Sequence, residues 1–598
     1  MREIPRMGLS YAELERLLAQ VPAAQGFLAV ETDRGPRTYL LGPRTAMDVT
    51  PPMLDWRTAP LAEAFFRAAP GEPYEVETAG RVQEGKVTER WIVGRHRMIG
   101  DTEVVTADGR SEVPRPAPRP GPVPVREALV VLDPEQQRAV DLPGDTSLVV
   151  DGEAGVGKTL VALYRVASLE RRARAHSRRF RALVLVPTEG LRRLCRLLAD
   201  RLQIEKLEIA VLDDWLIDRA HKTFPGLPKR TSEGATAQVI ALKRHPAVRG
   251  VLGDFIGWKP PKDADDKLPR SRMRLLHLWG DHDRLQRIID ASGLPARAIA
   301  ATQKHTRIQF ETTTEKQFSH VDADRLVALD GRKLDAGTTM EDAHTFDAED
   351  VPVLFEMVRR GVLPQPKSGD LPQYDHIVMD EAQLRAPMEL AAIGDALAKH
   401  GTITLAGDHR QATDETAYFA GWDAAKREVR AQRWADITLA VTYRSVPAIA
   451  DFARTFLLPE DPPAEPAVWA SQYDGTLAQA AQLCWQLDAL LSRDPWRQIC
   501  VIARTPEHAR RLHAELGRGL DPVLVLDGDF RFEPGIVVTT AAAVSGLEFD
   551  AVIVPDLNAS FWPSSPELAR SLYVAATRAR DWLWVLTPDS WSPLVSRG

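Results

Sequence analysis

Cysteine is scarce in this chain. The 598 residues include three, Cys195, Cys484 and Cys500, and none has metal-ligand spacing. That excludes a disulfide framework and fits a reducing compartment. Long apolar runs are also lacking. No stretch approaches the ~18 residues that span a membrane, and Met1-Arg2-Glu3-Ile4-Pro5-Arg6-Met7 has no apolar signal core. The expectation is a cytoplasmic protein with no membrane partner. Neither sign of charge dominates: the formal net charge is −7, so nucleic-acid binding would need a local basic surface. What is present is an ordinary globular composition, 44% hydrophobic and 27% charged, at a length that suits about four domains.

Against that plain background one stretch stands out. Gly152-Glu153-Ala154-Gly155-Val156-Gly157-Lys158-Thr159 fits G-x-x-x-x-G-K-[ST], a phosphate-binding loop. Ser147-Leu148-Val149-Val150 before it reads as a buried strand, and Leu160 to Ala167 after it as a packed helix. Such a loop gathers backbone N–H groups at a helix N-terminus. Gly152, Gly155 and Gly157 allow close approach, Lys158 would reach the β- and γ-phosphates, and Thr159 would hold Mg²⁺. The loop implies a nucleotide hydrolase and leaves the use of the energy open.

Residues 1–112 alternate short apolar runs, such as Gly26-Phe27-Leu28-Ala29-Val30, with Gly/Pro turns, and read as a small α+β packing or docking module. A short amphipathic helix is expected near Tyr11–Gln20. Residues 113–125 are a stiff Pro-rich linker. Gln136 precedes the phosphate loop and can read an adenine edge. The cluster Arg171, Arg172, Arg174, Arg178, Arg179 and Arg181 fits either phosphate contacts or a solvated helix end. Residues 214–370 break the strand–helix rhythm and read as a mainly helical insertion. The core resumes at His376-Ile377-Val378-Met379-Asp380-Glu381-Ala382-Gln383, where Asp380 would bind Mg²⁺ through water and Glu381 would activate the attacking water. Gln411, after the strand Ile403 to Gly407, could sense the γ-phosphate. Tyr418, Phe419 and Trp422 could stack on bases or pack in a core. A second α/β unit is expected from about residue 431.

Taken in order, these pieces resemble the UvrD/Rep/PcrA group of superfamily 1 helicases. The residues are Gln136, the loop 152–159, Asp380-Glu381-Ala382-Gln383, Gly407-Asp408 with Gln411, Tyr443-Arg444-Ser445, Gly546-Leu547-Glu548, and Tyr573-Val574-Ala575 with Thr577-Arg578-Ala579. Within that group the chain is most similar to HelD proteins, through Asp55-Trp56-Arg57-Thr58-Ala59-Pro60 before Phe65 and through Pro534 to Asp550. The resemblance implies an α/β fold of two RecA-like lobes with parallel sheets: 126–213 with 371–430, and 431–598. The N-terminal module and the insertion are added to these. It implies ATP and Mg²⁺ as ligands, Gln136 and Tyr443 on adenine, Glu548 on ribose, and Arg444 and Arg578 as arginine fingers on the γ-phosphate. Two positions depart from the group: Ser545 stands where a Lys is usual and Ala542 where many members have His. The long N-terminal coiled coil of polymerase-acting HelD proteins has no counterpart.

Three functions follow. The first is ATP-driven translocation on single-stranded or partly duplex DNA, 3′→5′ by resemblance. The second is remodelling of a protein–nucleic-acid complex such as RNA polymerase. The third is an ATP-switched binding component in DNA repair or antiviral defence.

Overall fold

The computed structural model describes residues 21, 23–78, 81–94, 97–100, 104–106, 111–112, 132–153, 156–205, 207–232, 234–259, 268–311, 343–366, 371–439, 447–456, 468–531 and 533–595. The helix expected at Tyr11–Gln20 and the Pro-rich segment 113–125 lie outside these residues. The chain divides into two compact units, Glu127–Val441 and Met1–Arg126 with Thr442–Gly598.

The unit Glu127–Val441 is built on a six-stranded sheet in which every paired strand is parallel. Its order is Leu207–Val211, Ala182–Val186, Tyr374–Met379, Leu397–Gly407, Ser147–Gly152 and Trp434–Leu439. Successive residues of one strand serve opposite faces. Val149 joins an apolar cluster with Leu183, Ile377 and Leu405, while Leu148 and Val150 join another with Ala139, Val161 and Ile437. Both faces are therefore covered, as a parallel sheet requires. The strand Trp434–Leu439 belongs to this sheet because Ile437 and Leu439 complete the second cluster. This strand falls beyond the edge expected near residue 431.

Residues 214–370 supply helices Ala237–Arg244, Arg270–Gly280, His282–Ser292, Arg297–Phe310 and Asp350–Arg359. They are not packed apart from the sheet. Leu242, Leu278, Trp279, Phe346 and Leu354 lie in the same cluster as Leu183, Ile377 and Leu405.

The other unit combines two sheets. One has eight strands and pairs its members antiparallel except at Gly35–Gly42 with Met53–Asp55. It comes wholly from residues 26–112. The second has six parallel strands in the order Val468–Gln472, Ala579–Thr587, Phe549–Val554, Gln498–Ala503, Gly535–Thr540 and Val523–Leu524. A single apolar cluster joins the two sheets. Trp56, Phe65 and Phe66 share it with Leu477, Cys484, Leu512, Ile553 and Trp584. Phe65 meets Trp485 at 5.4 Å between ring centroids, and the Arg90 guanidinium lies 4.3 Å over the Trp485 ring. Around this contact, Arg57 pairs with Glu515 at 3.3 Å, Arg67 with Asp521 at 3.2 Å and Arg518 with Glu63 at 3.2 Å. The N-terminal module is thus one face of the C-terminal unit.

Candidate functional site

Strand order places the site. From Ser147–Gly152 the chain passes through helix Lys158–Ala175 to Ala182–Val186, leaving two places in the sheet empty. Tyr374–Met379 and Leu397–Gly407 fill them. Because all these strands are parallel, Gly152, Asp380 and Asp408 emerge at the same sheet edge, where open α/β sheets bind ligands.

Gly157 caps the helix with φ +83°, a conformation that glycine adopts without strain. Lys158 donates from Nζ to Gly152 O and Glu153 O, both at 2.8 Å. Its ammonium therefore sits on the loop's own carbonyls. Thr159 donates from Oγ1 to Asp380 Oδ2 at 2.6 Å. Gln136, buried in a capping box with Asp133, donates to Val156 O at 2.9 Å and accepts from Asp133 N at 3.1 Å. Its amide ties the preceding helix to the loop. Gly155 lies outside the described residues.

The carboxylates form a buried chain. Asp380 accepts from Glu381 N at 3.0 Å. Glu381 takes the left-handed conformation, φ +51°, which lets the two acids leave the strand in a tight turn. Gln383 donates to Glu381 Oε2 at 2.6 Å, and its Oε1 accepts from Asp408 N at 3.3 Å. Gln411 donates to Asp408 Oδ2 at 3.1 Å. A side chain at Gly407 would meet Gln383 Oε1 and the Trp422 ring, so Gln383 could not keep its bond to Asp408 N unchanged. Burial, then the neighbouring Glu381 charge, pushes the Asp380 carboxyl up to about 6; the Thr159 hydroxyl and Lys158 oppose the shift. Burial likewise raises Asp408, against the pull of Lys158 and Arg410.

Two oxygens of different residues, Thr159 Oγ1 and Asp380 Oδ2, thus converge beside a carboxylate pair with excess negative charge. That donor set suits a hard divalent cation. Asp151, Asp408 and His409 also bring ligand atoms within 4.8 Å of one another. There, however, the His409 Nδ1 already lies 2.9 Å from Asp151 Oδ2, within hydrogen-bond reach.

Gln383, Asp408 and Gly407 are the residues that motif reading undervalued. All three stand among the residues that carry the family resemblance, but sequence reading attaches no role to them; the structure links Gln383 to Glu381 and to Asp408. The aromatics Tyr418, Phe419 and Trp422 resolve toward packing. Tyr418 donates to Ala241 O at 2.9 Å; Phe419 and Trp422 meet each other edge to face at 5.1 Å between ring centroids, and both pack against the core. In the arginine cluster, Arg172 donates to Leu142 O and Arg174 pairs with Glu170 and Glu205. Arg181 lies over the Tyr374 ring.

The candidates in the C-terminal unit stand as follows. Tyr443, Arg444 and Ser445 lie outside the described residues. Arg578 is buried, donating to Val574 O at 3.1 Å and Leu547 O at 3.3 Å. It thereby ties the helix Pro566–Ala576 to the Gly546-Leu547-Glu548 segment, where Gly546 has φ +73°. Glu548 and Ser545 are half-buried, and Ala542 is exposed.

Residues 535–586 match the family described as UvrD-like helicase C-terminal domain. A solved structure described as the C-terminal domain of a possible DNA helicase from Lactobacillus plantarum WCFS1 is 26% identical. The match covers 26% of this chain and 94% of that one, with a TM-score of 0.23. No curated protein matches. No helix among the described residues is long and apolar enough to cross a membrane.

Proposed function

We propose that the chain is an ATP-dependent DNA translocase or helicase of the UvrD type, built from two RecA-like lobes. One observation carries the reading: a phosphate loop is joined through Thr159 to a buried Asp380-Glu381 pair and on through Gln383 to Asp408 and Gln411. The helicase-family match at 535–586 lies in the same chain.

ATP is the substrate. Its phosphates would draw Lys158 Nζ off the Gly152 and Glu153 carbonyls. Thr159 and Asp380 would hold Mg²⁺, which when bound neutralises charge on the phosphate oxygens. Glu381 is the base for the attacking water, held by Gln383 Nε2 on one carboxylate oxygen. Gln411, joined to Asp408, reports on the γ-phosphate. By resemblance, Gln136 and Tyr443 would serve adenine, Glu548 the ribose, and Arg444 and Arg578 the γ-phosphate. Single-stranded DNA is the proposed track, with 3′→5′ polarity by resemblance.

The polymerase reading finds less support. Its N-terminal signature includes Trp56 and Phe65, and both are consumed in packing against residues 477–586. DNA-stimulated ATP hydrolysis by the full chain tests the proposal, with Lys158→Ala expected to lower turnover by about 10²–10³-fold. A folded wild-type protein whose turnover ignores single-stranded DNA would overturn the translocase reading.

A further inference from the structure

Two segments carry the proposed chemistry: 380–384, with Glu381, and 408–418, with Gln411. Neither belongs to the helical region 214–370. Both nevertheless converge on one residue of it, Arg244, the last residue of helix Ala237–Arg244.

The Arg244 guanidinium is nine-tenths buried and its three nitrogens are all used. Nε donates to Glu389 Oε1 at 3.0 Å and Nη2 to Glu389 Oε2 at 3.2 Å, a two-pronged grip on one carboxylate. Nη2 also donates to Leu384 O at 3.2 Å, three residues past Glu381. Nη1 donates to Asp414 Oδ2 at 2.5 Å and to Thr416 Oγ1 at 2.6 Å, three and five residues past Gln411. Glu389 in turn accepts from Ala386 N at 3.0 Å, fixing the start of the helix that follows the acidic pair. Beside this fork, Tyr418 has φ +49° and donates to Ala241 O, and its ring meets His245 at 4.4 Å. The helical region therefore holds both site segments through one planar cation and a neighbouring aromatic clamp. A guanidinium fixes directions as well as distances, which a lysine ammonium does not.

We propose that Arg244 is a positioning residue for ATP turnover: it sets the segment bearing Glu381 and the segment bearing Gln411 against each other, and so makes residues 214–370 a control element of the site. This rests on the ATPase reading above. A force or partner acting on helix Ala237–Arg244 reaches both segments at once.

The test compares full-length wild type, Arg244→Gln, Arg244→Lys and Asp414→Asn by two measurements. Steady-state ATP hydrolysis with single-stranded DNA should show kcat lowered at least about tenfold in Arg244→Gln, with KM for ATP within about twofold. Arg244→Lys should recover part of kcat. The Arg244→Gln, Asp414→Asn double variant should be no slower than the slower single, as expected of groups acting as one unit. Amide hydrogen exchange on the nucleotide-free protein should show faster exchange in Arg244→Gln at both 380–386 and 408–418, with 160–175 unchanged. Unchanged kcat in folded Arg244→Gln, or a change confined to 237–244, would overturn the proposal. Asp414→Asn gives the same reading from the other side of the ion pair if Arg244→Gln does not fold. A wild type without ATP turnover removes the ATPase reading alone, and the exchange pattern still decides whether Arg244 couples the two segments.

Discussion

Among the described residues are two six-stranded parallel sheets, and each delivers a buried aspartate just past the end of an inner strand. The two aspartates live in opposite electrostatic worlds. Asp380 follows Tyr374–Met379, receives hydrogen bonds from Thr159 and Glu381 N, and stands against the Glu381 charge; burial and that charge raise its carboxyl to about 6. Asp556 lies two residues past Phe549–Val554 with φ +53°. Burial also opposes its ionisation. Hydrogen bonds from His508 at 2.8 Å and Gln479 at 2.8 Å, together with the Arg511 guanidinium, more than offset that and lower its pKa. The under-neutralised acid is the one that the proposed function assigns to a cation. The fully satisfied one is a structural hub. Sheet architecture alone does not decide which is which; the donors around each acid do.

Four changes would break or sharpen this contrast. The largest effect is expected at Arg578. If the second sheet contributes charge to the reaction, Arg578→Ala lowers ATP turnover by about 10³–10⁵-fold in protein that remains folded by circular dichroism. Next, Asp556→Asn should lower unfolding free energy by about 3–5 kcal/mol, because it leaves Arg511 and His508 facing an uncharged partner in a buried setting. Denaturant titration measures it.

Asp380→Asn should act in the opposite direction, raising the stability of the nucleotide-free protein by roughly 2–3 kcal/mol near neutral pH while abolishing turnover. The sign follows from linkage. The folded-state pKa, about 6, lies above the ordinary value of 3.8, so the folded form holds its proton longer. Stability from this group is present below about pH 4 and is lost as pH rises to about 6. Thermal melts between pH 4 and 7 should show a shallower decline in Asp380→Asn than in wild type. The smallest effect is expected for Arg57→Ala at the seam of the N-terminal module: under about 1 kcal/mol, since the arginine is more than one-third exposed.

The site was legible where its signal is local. A candidate phosphate loop between an apolar strand and a helix, and two acids closing another apolar strand, are each read within a few residues, and the structure brings Thr159 of the one to Asp380 of the other. Long-range packing was not. Trp56, Phe65 and Phe66 have the same pattern whether they fill their own small module or meet residues 477–586. Trp434–Leu439 alternates in a way that suits an edge of either sheet. Arg244 is a single basic residue at a helix end, and nothing in its neighbourhood says that Glu389, Asp414 and Leu384 will gather around it. Each of these depends on contacts more than a hundred residues apart, which periodicity does not encode.

Chain order has a consequence for synthesis. The N-terminal module emerges first, with Trp56, Phe65 and Phe66 lacking their later neighbours. Leu477, Cys484 and Leu512 follow several hundred residues behind. At ~5–20 residues per second, that apolar surface waits tens of seconds for its cover. The strands Ser147–Gly152 and Ala182–Val186 wait likewise, unjoined until Tyr374–Met379 and Leu397–Gly407 arrive to sit between them. Assembly of both units is therefore a late, non-local event.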